Sequence, residues 1–173
     1  MRKTLKIESM KLGIALGSNL GDRLECLKFG RARLVERLGE ARSGGVYETE
    51  PVDCPPGSPA FLNTVVEVES DLEPLALLDF AQQIEREAGR TFSVIANAPR
   101  PLDLDLLYFG DLVLNSPRLT LPHPRLHLRR FVLIPLADIS PDLIPAGQTQ
   151  TVQQLLTDLE VEEPDPICVC ESW

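Results

Sequence analysis

Residues 98–110, APRPLDLDLLYFG, set Asp103 and Asp105 two positions apart inside an otherwise apolar run. In an extended chain alternate side chains share a face. Leu102, Leu104 and Leu106 therefore point one way and the two aspartates the other. Like charges at that spacing repel each other, and they are costly when half buried. The rest of the chain must bring positive charge over that face.

The compensating charge lies further along. Between residues 112 and 137 there is no Asp or Glu, yet the window holds Arg118, Arg125, Arg129 and Arg130. It also holds His123 and His127, the two histidines of the chain. In a protein with a formal net charge of −9 this is a local reversal of sign. The stretch RLTLPHPRLHLRRF has too many prolines for a helix and is expected as a loop over the sheet. A cationic loop beside a diacid strand suits metal–polyphosphate chemistry. Hard divalent cations prefer carboxylate oxygens, while guanidinium groups take phosphate oxygens. The residues alone leave a plainer alternative open, with both aspartates on a solvated face paired to arginines.

The order of elements supplies the frame. Residues 11–16 read as a strand, followed by a helical stretch with Leu20, Leu24, Leu27, Leu34 and Leu38 near one face. Gly39 closes that helix and Gly30 weakens it. Residues 44–52 start as a strand and run into the Pro- and Gly-rich loop DCPPGSP. Residues 61–70 alternate, with Thr64, Val66 and Val68 against Val65, Glu67 and Glu69. This predicts a half-exposed strand with Glu67 and Glu69 in solvent. Residues 74–88 make the clearest helix, with Pro74 in its first turn, Gly89 at its exit, and a stripe of Leu77, Phe80, Ala81, Ile84 and Ala88. The order β-α-β-β-α-β predicts an α+β fold, a ferredoxin-like αβ sandwich whose mainly antiparallel sheet has helices packed on one face. The 173 residues read as a single domain, 1–173, with 1–10 and the acidic, Pro-broken 160–173 as loosely held extensions.

The net charge argues against nucleic acid as a partner. No apolar run reaches the roughly 18 residues that span a bilayer, and no export signal is visible, so a cytoplasmic protein without a membrane partner is expected. No apolar surface stripe is left over, so a monomer is expected. The four cysteines, at 26, 54, 168 and 170, lack zinc-site spacing and read as reduced thiols. GSNLGDR is a turn before a helix but not a Walker A loop. Phe61 and Phe131 are of a kind to clamp a planar heterocycle, and Asn63 to read its edge. Gln82 and Glu85 share a helix surface near Arg90 and read as solvated.

Six stretches occur in one order and spacing: ALGSNLGDR, YETEP, FLNTVVEVE, IEREAGR, APRPLDLDLLYFG and LTLPHPRLHLRRFVLIPLADISP. Together they resemble the 6-hydroxymethyl-7,8-dihydropterin pyrophosphokinases of folate biosynthesis, also called 2-amino-4-hydroxy-6-hydroxymethyldihydropteridine diphosphokinases. The resemblance runs from about Lys11 to Pro145. It implies transfer of the β,γ-diphosphate of ATP to the hydroxymethyl group of the pterin, with release of AMP. By position it implies that Asp103 and Asp105 hold two magnesium ions, and that Arg90 and Arg100 stabilise the phosphoryl charge in transfer. It places Arg129 and His123 on the ATP phosphates, with Gln82, Glu85, Arg100, Leu106, Arg118 and Thr120 where the nucleotide binds. Phe61 and Phe131 would sandwich the pterin, and Asn63 with Thr49, Glu50 and Val52 would read its polar edge.

The match has departures. Asn97 stands where well-known members carry a tryptophan, two residues before Pro99 and Arg100. Residues 91–97 lack the basic side chains common in this loop, leaving Phe92, Ser93 and Ala96, and Pro124 replaces a tyrosine found in some members. Two other readings fit part of the pattern. A metal-dependent phosphohydrolase would also use the acidic pair and arginines. A catalytically inactive ferredoxin-like module binding nucleotide or pterin is suggested by the thinned 91–97 loop.

Overall fold

The computed structural model describes residues 8–91 and 93–173. Its centre is β1 (Met10–Ser18), which alternates large and small side chains. Leu12, Ile14 and Leu16 face one side, Gly13, Ala15 and Gly17 the other. After β1 come α1 (Arg23–Leu38), β2 (Ala41–Ser43), β3 (Val46–Thr49), β4 (Phe61–Ser70), α2 (Pro74–Glu87) and β5 (Asp103–Phe109). A two-stranded ribbon of β6 (Leu114–Asn115) and β7 (Thr120–Leu121) follows. Then come a 3-10 turn at Leu126–Leu128, α3 (Arg130–Ile139), α4 (Val152–Asp158) and β8 (Ile167–Cys170). The main sheet runs β5-β1-β4-β3-β8 with β2 also paired to β4, every pairing antiparallel. The fold is α+β and ferredoxin-like, as the element order implied.

The large face of β1 meets α1 and α2. Leu27 and Leu34 of α1, and Leu77, Ala81 and Ile84 of α2, close over Leu12, Ile14, Leu16, Val66, Leu104 and Leu106. Asp22 caps α1 by accepting from the Glu25 N–H at 3.2 Å. Gly30 does not break this helix. It is buried, and a Cβ there would come within 3.1 Å of Leu102 and 3.3 Å of Leu16, so its missing side chain lets the helix sit close to the sheet.

The opposite face is also covered, which corrects the expectation of helices on one face only. The mostly apolar residues 131–139, FVLIPLADI, form most of α3, whose Val132, Leu133 and Leu136 pack with Val152 and Leu155 of α4 against Val65, Leu107 and Tyr108. The helix starts at Arg130, so only residues 122–129 of the basic stretch cross the sheet as a loop with a 3-10 turn. With α3 over it, β4 is not half exposed. Glu67, expected in solvent, is 4% exposed, whereas Glu69 is exposed. Tyr108 Oη donates to Glu67 at 2.7 Å, Ser140 Oγ at 3.0 Å and Lys11 Nζ at 3.3 Å. Tyr108, Gly13, Glu67 and Arg42 occupy one row across β5, β1, β4 and β2. Tyr108 reaches Glu67 by lying over Gly13, where any Cβ would overlap its ring. On β5 the register shifts beside this row: Gly13 faces Tyr108 but Ile14 faces Leu106, leaving Leu107 as the extra residue of a bulge.

The tail is a second correction. Residues 167–170 form β8, with Val46 opposite Cys170, Tyr47 opposite Cys168 and Glu48 opposite Ile167. Trp173 Nε1 donates to Gly44 O at 2.9 Å, and the Arg31 guanidinium lies 5.2 Å from the indole centroid. This end of the chain completes the sheet instead of trailing from it. The other expected extension, 1–10, falls largely on residues 1–7, outside the described residues, and Met10 opens β1. Trp173→Ala is expected to lower stability by about 1–2 kcal/mol through lost stacking and one lost hydrogen bond. An unchanged urea midpoint would show that the tail is only laid against the sheet. All four cysteines are free thiols. Among the described residues no helix is long and apolar enough to cross a membrane.

Candidate active site

On the α3 side the small residues of β1 leave space that the larger ones fill on the other. A cavity of about 730 Å³ lies there, with Ala15 and Gly17 lining it beside Asp103 and Asp105 of β5. Phe61 and Asn63 of β4, Phe131 of α3, Thr49 at the end of β3, and residues of the stretches 50–54, 95–100 and 123–129 complete its walls, with Arg90, Thr91 and Ser93. The bareness of β1 here is required at Gly17, where a Cβ would press on Asn63 Oδ1 at 3.1 Å.

The two aspartates meet the positive charge that their sequence demanded. Asp103 sits between two guanidinium groups, with Arg90 Nη1 2.6 Å from Oδ1 and Arg100 Nη2 2.8 Å from Oδ2. Burial pushes the Asp103 carboxyl up, but Arg100 and Arg90 together outweigh it and hold the group below the usual carboxylate range. Asp105 has a looser partner, Arg129 Nη1 at 3.7 Å. Burial first, and then the neighbouring charge of Asp103, push its carboxyl up to about 6. Of the two aspartates, Asp105 is the one less closely met by guanidinium charge.

Behind them Glu85 anchors Arg90. Their ion pair is 2.7 Å long, and Glu85 Oε1 also accepts from the Leu104 N–H at 2.7 Å. Glu85 is 8% exposed, contrary to its reading as a solvated residue, because Arg90 and the start of β5 cover it. Burial, aided by Asp103, lifts its carboxyl to about 7 despite that backbone bond. His123 is pushed the other way, down to about 4, by burial and then by Arg129 and Arg125. Its Nδ1 accepts from the Arg125 N–H at 3.1 Å, so the proton of the neutral ring is on Nε2.

The aromatic pair is set against the cations. Arg100 stands 5.5 Å from the Phe61 centroid and Arg129 5.5 Å from that of Phe131. Asn63 Nδ2 donates to Thr49 Oγ1 at 2.6 Å, joining β4 to the end of β3. Arg100 is fixed through its backbone, whose N–H donates to Asn19 Oδ1 at 2.9 Å.

The structure therefore brings Arg90, Arg100, Asp103, Asp105, His123, Arg129, Thr49, Glu50, Val52, Phe61, Asn63 and Phe131 to one cavity. It does not bring Gln82, Leu106, Arg118 or Thr120 there. Gln82 is exposed on α2, Leu106 is in the core under α1 and α2, Arg118 pairs with Asp79, and Thr120 lies in β7. Glu85 reaches the cavity only through Arg90. Sequence reasoning left out Asp53, Cys54, Asn97, Arg125 and Glu163, all of which line it. Arg125 carried a signal, standing in the acid-free window. Glu163 carried none, since only the docking of the tail brings it close.

The model of the 7,8-dihydro-6-hydroxymethylpterin-pyrophosphokinase family matches residues 13–141. The 2-amino-4-hydroxy-6-hydroxymethyldihydropteridine pyrophosphokinase of Pseudomonas aeruginosa is 43% identical over 139 residues, which cover 78% of this chain and 84% of that protein. The folic acid synthesis protein fol1 of Schizosaccharomyces pombe is 39% identical over 159 residues, 89% of this chain but 21% of that longer protein. Among solved structures, Plasmodium falciparum HPPK-DHPS A437G with SDX-DHP superposes with a TM-score of 0.70 at 16% identity, covering 89% of this chain and 46% of that one. That likeness speaks for the fold, while the family model and the closer sequence matches speak for descent. On these grounds the chain belongs to the 7,8-dihydro-6-hydroxymethylpterin-pyrophosphokinase family.

Proposed function

We propose that this chain transfers the β,γ-diphosphate of ATP to the hydroxymethyl group of 6-hydroxymethyl-7,8-dihydropterin and releases AMP. The observation that carries the reading is a single cavity holding a diacid strand face, four arginines and two phenylalanines. The new bond joins the hydroxymethyl oxygen to the β-phosphorus, the bond from that phosphorus to the α–β bridging oxygen breaks, the bridging oxygen leaves on AMP, and the hydroxyl proton passes to water. Arg90 and Arg100, already placed on Asp103, hold the charge of the moving diphosphate, while Arg129 and the Nε2–H of His123 hold the phosphate chain. Phe61 and Phe131 fix the ring, and Asn63 with Thr49, Glu50 and Val52 reads its polar edge. Gln82, Glu85, Leu106, Arg118 and Thr120 belong on this reading to the nucleotide side, beyond the cavity wall. The single domain 1–173, acting as a monomer, is the proposed unit.

The donor set suits magnesium. Two carboxylates share one strand face, and each oxygen that receives an arginine keeps a second lone pair. The described residues hold no group of three or more His, Cys, Asp or Glu fit for a metal, so phosphate and water must complete the coordination. Asp103 and Asp105 would hold two such ions with ATP. Bound there, magnesium neutralises phosphate charge and polarises the phosphoryl oxygens.

The test is AMP release measured with ATP and magnesium, with and without the hydroxymethyl pterin. The expected result is AMP only when the pterin is present. AMP or phosphate in its absence would indicate a phosphohydrolase, and calorimetric binding without AMP a module that has lost activity.

A further inference from the structure

Among the described residues two that are not glycine hold a left-handed backbone, Asp53 at φ 52° and Asn97 at φ 54°. Such conformations persist where the surroundings over-determine them, and Asn and Asp tolerate them best. These two residues face each other. Asn97 Nδ2 donates to the carbonyl of Asp53 at 2.8 Å. Both line the cavity, on different loops.

The contact is one end of a longer seam. At the other end Asn19 Nδ2 donates to Pro59 O at 3.3 Å, and Asn19 Oδ1 accepts from the Arg100 N–H at 2.9 Å. The loop between β3 and β4 is thus tied near both ends to the segment 97–100. Little else holds the Asp53 end. Arg125 approaches its carboxylate only at 3.9 Å between exposed groups, a pairing of small worth. On the facing loop Val94 is 90% and Ile95 59% exposed, so burial does not fix that loop either.

We propose that Asn97 is a positioning residue for the acceptor, its amide clasping the Asp53 loop onto the segment that carries Arg100. The clasp holds Thr49, Glu50 and Val52 in register with Arg100 and hence with Asp103. This inference rests on the proposed pterin reading, because residues 49–52 matter to it only as the acceptor's contacts.

The test is calorimetric binding of 6-hydroxymethylpterin, and separately of a non-hydrolysable ATP analogue with magnesium, to the wild-type chain, Asn97→Gly and Asn97→Asp. Glycine keeps the left-handed backbone but lacks the amide. Aspartate keeps the shape but offers a carboxylate that cannot donate to a carbonyl. Both variants are expected to bind the pterin about three- to tenfold more weakly, the effect of one hydrogen bond, with nucleotide affinity within about twofold of wild type. Pterin affinity unchanged in either variant overturns the clasp, as does an equal loss for the nucleotide. A wild-type chain that binds no pterin overturns the functional reading itself and the clasp with it.

Discussion

Asp105→Asn is expected to reduce pterin-dependent AMP release by about three orders of magnitude or more, the scale on which charge stabilisation governs phosphoryl transfer. The substitution keeps the shape of the side chain and removes its charge. In the structure that charge is poorly matched, with one arginine nitrogen, Arg129 Nη1, at 3.7 Å and a second carboxylate two residues away. Removing it therefore costs the fold little and the metal site much. Asp103→Asn should match the loss for a further reason, because an amide keeps a single acceptor oxygen and cannot hold both Arg90 and Arg100, which bond the two carboxylate oxygens at 2.6 and 2.8 Å. Raising magnesium should recover part of the activity of Asp105→Asn and none of that of Asp103→Asn, since concentration cannot realign the arginines. Undiminished turnover in both variants at ordinary magnesium would sink the assignment of the carboxylates.

The largest expected effect on stability comes from a residue outside the cavity. Glu67→Leu leaves the Tyr108 hydroxyl buried without its 2.7 Å acceptor and removes the 3.0 Å bond from Ser140. The expected loss is about 2–3 kcal/mol, mostly from these two bonds. Lys11 and Arg42 add little, being more than half exposed at 56% and 59%. Acid should narrow the difference. Burial pushes the Glu67 carboxyl up, but the Tyr108 and Ser140 hydroxyls and Lys11 prevail and hold it below its usual value. A depressed carboxyl stabilises fully above its unfolded value, about 4.3, and loses that contribution as pH falls through the lower folded value. The gap in urea midpoint between wild type and Glu67→Leu should be widest near pH 7 and narrow below about pH 4. A gap of constant width would mean that packing, and not the ionised carboxylate, holds the row together.

Glu67 also shows where a single sequence stops being informative. Alternation along 61–70 correctly assigned its side chain to the face opposite Val66, and wrongly gave that face to solvent. Which face of a sheet is covered depends on a helix formed some sixty residues later, and periodicity within a strand carries no trace of it. The tail failed to read for a related reason. ICVC among prolines and acids is too short to announce a strand, and it becomes one only beside the exposed edge of β3. Asp103 and Asp105 read well because their rule is local, but of the arginines that meet them only Arg129 comes from the acid-free window, while Arg90 and Arg100 lie before it. Arg90 sits outside that window, and no charge pattern pointed to it. Its role came from the resemblance, and the fold brings it to Asp103 from the end of α2. The clasp was least visible, since Asn97 and Asp53 lie in loops whose contact no spacing encodes.

The bulge at Leu107 has a consequence for the parity of β5. Asp105 and Tyr108 are an odd number of residues apart and in a regular strand would look to opposite sides. The extra residue changes odd to even, so acids and tyrosine share the α3 face. Tyr108 is in turn hooked over Gly13 to Glu67, two strands away. The hook works as a registration mark for the strand: while it holds, β5 cannot slide by one residue and turn its carboxylates toward α1 and α2. A chain that lost the mark would keep every residue of its chemistry and present it to the wrong side.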